Sequence, residues 1–192
     1  MQQILHNPLE LPDDLPVPVD DGAARHLTSL TLPDVTLAAT DGSQVKLARL
    51  SGRTVVYIYP RTGRPGQALP TGWNAIPGAR GCTPQSCSFR DHFDELKSLG
   101  VCQVYGLSTQ DSDYQREVVE RLHLPFAILS DAGFALQRAL RLPTFEVDGM
   151  VLLKRMALVI DDGRITKVFY PVFPPDRSAA EVIDWLRTNN KQ

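Results

Sequence analysis

The run Thr54-Val55-Val56-Tyr57-Ile58-Tyr59 is uncharged and unbroken. A strand of that kind is stable only where both of its faces are covered. It therefore belongs in the middle of a sheet with further chain packed on each side, and Pro60, which cannot continue the ladder, ends it. Segments 32–37 and 45–47 flank the turn signal Asp41-Gly42 and predict a small N-terminal β-hairpin. Beyond residue 81, Phe89, Phe93 and Leu96 recur at helical spacing, with Gly100 as a stop signal. A strand over 101–107, a helix around 114–122, a strand over 126–129 and a helix from about 132 to 140 follow. Residues 156–160 and 165–170, joined through Asp161-Asp162-Gly163, predict an antiparallel hairpin. Ser178 and Glu181 have the spacing of a capping box that opens a last helix over 182–186. Strands that alternate with helices pair in parallel, and the final hairpin pairs antiparallel. The expected architecture is α/β: a central mixed β-sheet flanked by helices, entered through the N-terminal hairpin.

A chain of 192 residues, 43% of them hydrophobic, suffices for one packed domain. Residues 1–26 are rich in Pro and Asp, which resist helix and central strand alike, so they are expected to form an extended arm, with the domain spanning 27–192. No internal repeat is visible. The formal net charge is −2 and Lys and Arg are scattered, which argues against nucleic acid as a partner. The first residues lack a basic start followed by an apolar core, and no apolar run approaches the ~20 residues needed to span a membrane. These features lead to the expectation of a cytoplasmic protein without a membrane partner. Three cysteines are too few, and odd in number, for a secreted disulfide framework. Redox chemistry, metal binding or plain burial remain to explain them.

Residues 61–81 are dense in Gly and Pro around a lone Trp73, and an irregular loop of this length within a compact domain is usually functional. Trp73 could pin the loop or shape an entrance. The far end of the loop delivers Cys82 to the start of an amphipathic helix. With Thr83 as N-cap and Pro84 at the first helical position, Cys82 would lie beside unpaired backbone amides and roughly half an elementary charge of helix dipole, where a thiolate nucleophile is favoured. Cys87 follows five residues later, about 140° around and about 7.5 Å along an ideal helix. A disulfide needs Cα atoms within roughly 7 Å, so the two thiols can join only if the first turn unwinds. That requirement suits an oxidation cycle in which one thiolate takes oxygen from an oxidant, the segment loosens and the second thiol condenses with the sulfenic acid. Inert burial of the thiols is one alternative. A zinc site built from Cys82, Cys87 and Cys102 with His92 or His123 is another, although no C-x2-C or H-x3-H spacing appears. Cys102, inside an apolar strand, reads as core. Arg155 beside Lys154 reads on its own as a solvated charge at a strand start, and Pro143 as a trans proline in a loop.

The segment Gly81-Cys82-Thr83-Pro84-Gln85-Ser86-Cys87-Ser88-Phe89-Arg90-Asp91 resembles the active-site helix of peroxiredoxins, in their bacterioferritin-comigratory-protein (PrxQ) branch of the thioredoxin-like superfamily. The likeness extends through Leu32-Pro33-Asp34-Val35-Thr36-Leu37, Val56-Tyr57-Ile58-Tyr59-Pro60, Leu129-Ser130-Asp131 and residues 155–165, covering most of 30–187. It implies a thioredoxin-like fold and a thiol-dependent peroxidase. By the same resemblance Cys82 is the peroxidatic and Cys87 the resolving cysteine of a redox-active disulfide, Arg155 steadies the thiolate and polarises the peroxide, and Pro60 and Gly81 contact the substrate. It further implies no metal or organic cofactor, a peroxide as substrate, thioredoxin or a similar dithiol as reductant, and a monomer, since the resolving thiol is internal. Two departures stand out. The family's usual Thr three residues before the peroxidatic Cys is Ala79 here, and the passage from Pro60 to Cys82 carries an inserted loop, 61–81, from which Thr62 could fold back to supply a hydroxyl. The rival readings are a thiol-disulfide oxidoreductase, against which the four residues between the cysteines argue, and a redox sensor or binding module on the same scaffold.

Overall fold

The structure, a computed structural model, describes residue 7 and residues 9–189. The opening residues 1–6, Pro8 and the last three residues of the expected domain lie outside the described residues. The chain runs through β1 (Leu37–Ala39), β2 (Gln44–Val45), β3 (Arg53–Ile58), α1 (Cys82–Asp91), α2 (Phe93–Ser98), β4 (Val101–Ser108), α3 (Ser112–Leu122) and β5 (Ile128–Ser130). It continues through α4 (Ala135–Leu140), β6 (Thr144–Val147), β7 (Met150–Leu153), β8 (Met156–Asp161), β9 (Arg164–Phe169) and α5 (Ser178–Asn189). Seven strands make one sheet in the order β2-β1-β5-β4-β3-β8-β9, and β6 and β7 pair separately. β3, β4 and β5 run parallel, while β8 is antiparallel to β3 and β1 to β5. This is the expected mixed α/β sheet with its N-terminal hairpin.

The uncharged run does become an inner strand. β3 lies between β4 and β8, and its side chains alternate between two cores, as the two-residue period of a strand requires. Val56 and Ile58 join Leu107, Leu129, Leu136 and Leu158 on one face. Val55 and Tyr57 join Phe89, Leu96, Val118 and Leu186, from the helices of the other face. Tyr57 stacks on Phe89 with ring centroids 4.6 Å apart, and that contact seats α1 against the sheet.

The structure corrects several local expectations. The periodic segment after the cysteines is two helices, because His92 leaves helical geometry at φ −104°, ψ 11°. Cys102 is exposed rather than core. The register of β4 against β3 steps from Val101 opposite Arg53 to Gln103 opposite Thr54, so Cys102 is the extra residue of a bulge and turns out of the inward pattern. Ser178 is not an N-cap: it already has helical angles, and its hydroxyl is turned to Gln85, while Ser88 of α1 accepts the bond from the Ala179 amide. The β6–β7 hairpin, whose turn places Asp148 and Gly149 at φ +47° and +73°, has no counterpart in the sequence reading. Leu142–Pro143 is trans, and the cis bonds precede Pro171 and Pro174. Among the described residues no helix is long and apolar enough to cross a membrane.

The described part of the N-terminal segment lies along the domain. Asp21 accepts bonds from Lys154 Nζ at 2.7 Å and from the Tyr170 hydroxyl at 2.8 Å, and Pro18 lies against Gly78. Arg80 donates to the carbonyls of Asn7 at 3.2 Å and Glu10 at 3.0 Å.

Candidate active site

The helix after the inserted loop starts two residues earlier than Thr83 and Pro84 suggested. Gly81 is the N-cap, at φ +100°, ψ 24°, and Cys82 is the first helical residue. Only glycine fits there. The backbone lies in the left-handed region, and a Cβ would stand 2.2 Å from Pro175 Cγ and 2.9 Å from Leu11 Cδ2. Thr83 and Pro84 occupy the first turn instead, with no side-chain cap at the helix start. The Cys82 thiol thus sits where the helix has amides to spare.

Arg155, in the short link between β7 and β8, is 3% exposed. Its Nη2 lies 3.2 Å from Cys82 Sγ. The same guanidinium donates to the carbonyls of Gly78 at 3.2 Å, Ala79 at 3.1 Å and Arg80 at 3.0 Å, and to Gln85 Oε1. It therefore shapes the last turn of the loop as well as facing the sulfur. Burial of a guanidinium is tolerable because its donors are paired. Its described hydrogen-bond partners are neutral oxygens and the thiol, with no carboxylate to cancel the charge. Negative charge developing at the sulfur or at a bound oxygen meets an unneutralised cation in a largely buried site. The solvated strand-start charge that Arg155 suggests in isolation is not what forms.

Gln85 completes this arrangement and had no place in the sequence reading. It is fully buried, accepts from Arg155 and donates to Ser178 Oγ at 3.2 Å, linking the start of α5 to the guanidinium. A polar side chain three residues after Cys82, on the inward side of a helix, was the available signal. Ser86 donates to the Cys82 carbonyl at 3.1 Å and receives the Tyr57 hydroxyl at 3.0 Å. Burial pushes Tyr57 ionisation far above its usual range, so this hydroxyl keeps its proton.

Cys82 is 4% exposed and opens on a narrow pocket with about 20 Å3 of space for water-sized molecules. Arg61, Thr62, Leu69, Trp73, Arg80 and Gly81 help to line it. Pro60, expected at the substrate, is buried at the end of β3 and is not among the lining residues. The inserted loop turns its Thr62 and Trp73 inward instead. Thr62 is 1% exposed, and its amide and hydroxyl donate to Gln110 Oε1 at 2.9 and 3.2 Å. Trp73 is both pin and wall, packed on Phe145 with centroids 6.1 Å apart.

Cys87 is half-buried on α1, beneath a cleft that Leu9 and Leu11 of the N-terminal segment form with Pro84 and Ser88. Burial pushes its thiol pKa up, and the nearby Arg90 charge only partly opposes this. All three cysteines are free, and α1 is continuous from Cys82 through Cys87. Cys82, Cys87 and Cys102 do not converge with a histidine: among the described residues no group of three or more His, Cys, Asp or Glu is placed to hold a metal ion.

A mixed sheet carrying a reduced, arginine-faced thiol at a helix start defines a thioredoxin-like thiol protein. The family model described as Redoxin matches residues 28–183. The chloroplastic peroxiredoxin Q of Oryza sativa subsp. japonica is 30% identical over 158 residues, 81% of this chain and 64% of that protein, so the match spans less than two thirds of the plant protein's length. Peroxiredoxin Bcp of Escherichia coli (strain K12) is 32% identical over 165 residues, 81% of this chain and 92% of the relative. The chain belongs to the redoxin family, in its peroxiredoxin Q/Bcp branch. Among solved structures, peroxidoxin BcpB from Mycobacterium tuberculosis has a TM-score of 0.65 at 24% identity, covering 84% of this chain and 97% of that one. A Xylella fastidiosa PrxQ variant has a TM-score of 0.67 at 17% identity, covering 84% and 95%. These likenesses bear on the fold.

Proposed function

We propose that the chain is a thiol-dependent peroxidase. The observation that carries this reading is the buried Arg155 guanidinium 3.2 Å from Cys82 Sγ at the base of a narrow pocket. The Cys82 thiolate attacks one oxygen of a peroxide. The S–O bond forms as the O–O bond breaks, the departing oxygen takes a proton and leaves as water or an alcohol, and Cys82 becomes a sulfenic acid. Charge moves onto the departing oxygen, and a fixed cation with helix-start amides stabilises that change more than it stabilises the ground state. Cys87 then condenses with the sulfenic acid, releasing water and forming the Cys82–Cys87 disulfide. An external dithiol, thioredoxin or one like it, exchanges with that disulfide, is itself oxidised and returns both thiols. The continuous α1 requires the first turn to open before the second step. Because the resolving thiol is in the same chain, a monomer suffices. The acid–base and electrostatic requirements of the cycle are met by side chains and backbone, and cytoplasmic thiol reductants would suit it.

The test is direct. Reduced protein mixed with one equivalent of hydrogen peroxide should lose the Cys82 thiol far faster than free cysteine does, and mass spectrometry should then find the Cys82–Cys87 link. Cys87→Ser should trap sulfenic acid on Cys82. Oxidation no faster than that of free cysteine, or intramolecular resolution through Cys102 in Cys87→Ser, refutes the assignment.

A further inference from the structure

The inserted loop does more than deliver Cys82. Between residues 61 and 73 it folds over the thiol and leaves about 20 Å3 of space for water-sized molecules. One such molecule needs about 10–15 Å3, so the narrow part of the pocket beside the thiol has room for a molecule of about peroxide size, and its mouth opens to solvent. The walls that set this limit are side chains of the insertion: Trp73, 4% exposed, and the partly buried Leu69.

The loop is also tied down on both sides, which keeps the pocket from opening cheaply. Arg121 of α3 donates to the Gly63 carbonyl at 3.3 Å, Arg64 lies 4.4 Å over the Tyr114 ring, and the Tyr114 hydroxyl donates to Gln67 at 3.2 Å. Gln110 holds Thr62 from its amide, hydroxyl and carbonyl. On the other side, the Thr71 amide donates to Asp148 at the β6–β7 turn, at 2.8 Å. Trp73 packs with Ala79, Val147 and Leu152. A bulky hydroperoxide would have to displace Leu69 or Trp73 against these anchors to bring its peroxide to Cys82 Sγ.

We propose, resting on the peroxidase reading above, that Leu69 and Trp73 of the inserted loop determine specificity by size, so that the site takes hydrogen peroxide and rejects bulky alkyl and aryl hydroperoxides. The O–O group itself is read by Arg155 and the helix start, as for any peroxide. The loop decides what may be attached to it.

The experiment measures the second-order rate of Cys82 oxidation in the full chain with hydrogen peroxide and with cumene hydroperoxide, in the native protein, Leu69→Ala and Trp73→Phe. The native protein should prefer hydrogen peroxide by about 100-fold or more, since a hydrophobic pocket discriminates by about 10–200-fold per methylene-sized misfit. Leu69→Ala should raise the cumene hydroperoxide rate relative to the hydrogen peroxide rate at least about 10-fold. Trp73→Phe keeps a ring in the apolar cluster and should give a smaller gain of the same sign. Equal native rates with the two peroxides, or variants that leave the ratio unchanged, overturn this inference and leave the peroxidase reading intact. Failure of either peroxide to oxidise native Cys82 faster than free cysteine overturns the reading itself.

Discussion

Arg155 shows how one side chain gains its meaning from what it is paired with. Its three nitrogens reach three carbonyls, an amide oxygen and a sulfur, in a planar geometry that an ammonium cannot reproduce. Arg155→Lys should therefore slow Cys82 oxidation by about 100-fold, the usual effect of losing one preorganised donor to developing charge, as read by thiol loss under excess peroxide. Cys87 behaves differently. Burial disfavours its charged form, so its folded pKa lies above the ordinary thiol value of about 8.5. In a Cys82→Ser, Cys102→Ser background, alkylation of Cys87 by iodoacetamide should be slower at pH 7 than in the unfolded chain and should still be climbing as pH passes 8.5. The native state holds this proton more tightly, so the associated stability is complete below the ordinary thiol pKa and is lost as pH rises through the folded one. Gly81 is set by geometry alone. Gly81→Ala combines a left-handed backbone with a 2.2 Å approach to Pro175 and should cost about 2 kcal/mol or more in urea unfolding.

At the scale of elements, α1 has two tasks that conflict. In the proposed cycle it must be formed to present Cys82 to Arg155 and must open to let Cys87 reach the same sulfur. Tyr57 stacked on Phe89 and the bond from Ala179 to Ser88 hold its later part, so the opening falls on the first turn. That turn is also where the N-terminal segment lies, with Leu11 against Gly81 and Arg80 donating to the Asn7 and Glu10 carbonyls. Docking of the segment stabilises the closed helix and so opposes its opening. Removal of residues 1–11 should speed formation of the Cys82–Cys87 disulfide from the sulfenic acid by about fivefold, the equivalent of about 1 kcal/mol of apolar and hydrogen-bond contact, in a stopped-flow measurement of the second oxidative step. An unchanged rate would mean that the segment leaves the first turn free to open.

At the scale of the whole molecule, the sheet is the part that does not move. β3, β4 and β8 are covered on both faces by the two cores, whereas the first turn of α1 is covered mainly by loop and N-terminal segment. Hydrogen exchange of the disulfide form should lose protection over residues 80–88 and keep it across these strands. Loss across the sheet would show that oxidation unfolds more than a helix end. Much of this architecture is legible in the sequence because periodicity records which faces are buried: the uncharged run of β3, the hairpin through Asp161-Asp162-Gly163 and the thiol delivered to a helix start are all local statements. The Asp148-Gly149 turn between β6 and β7 is equally local. Other features had no local signature. Cys102 has the composition of core, and only a register step against Arg53 turns it outward. Arg155 stands 73 positions from Cys82 in the chain, and Ser178 stands 93 from Gln85. Those pairs meet because β8 enters the sheet beside β3 and α5 packs on α1, and strand order is a property of the closed core. The amino-acid order determined by itself where the helix-start sulfur sits and what kind of sheet carries it. Tertiary structure alone decided which cation faces that sulfur, which wall narrows its pocket and which segment covers its helix, because contacts between distant residues follow from packing that no short window of sequence contains.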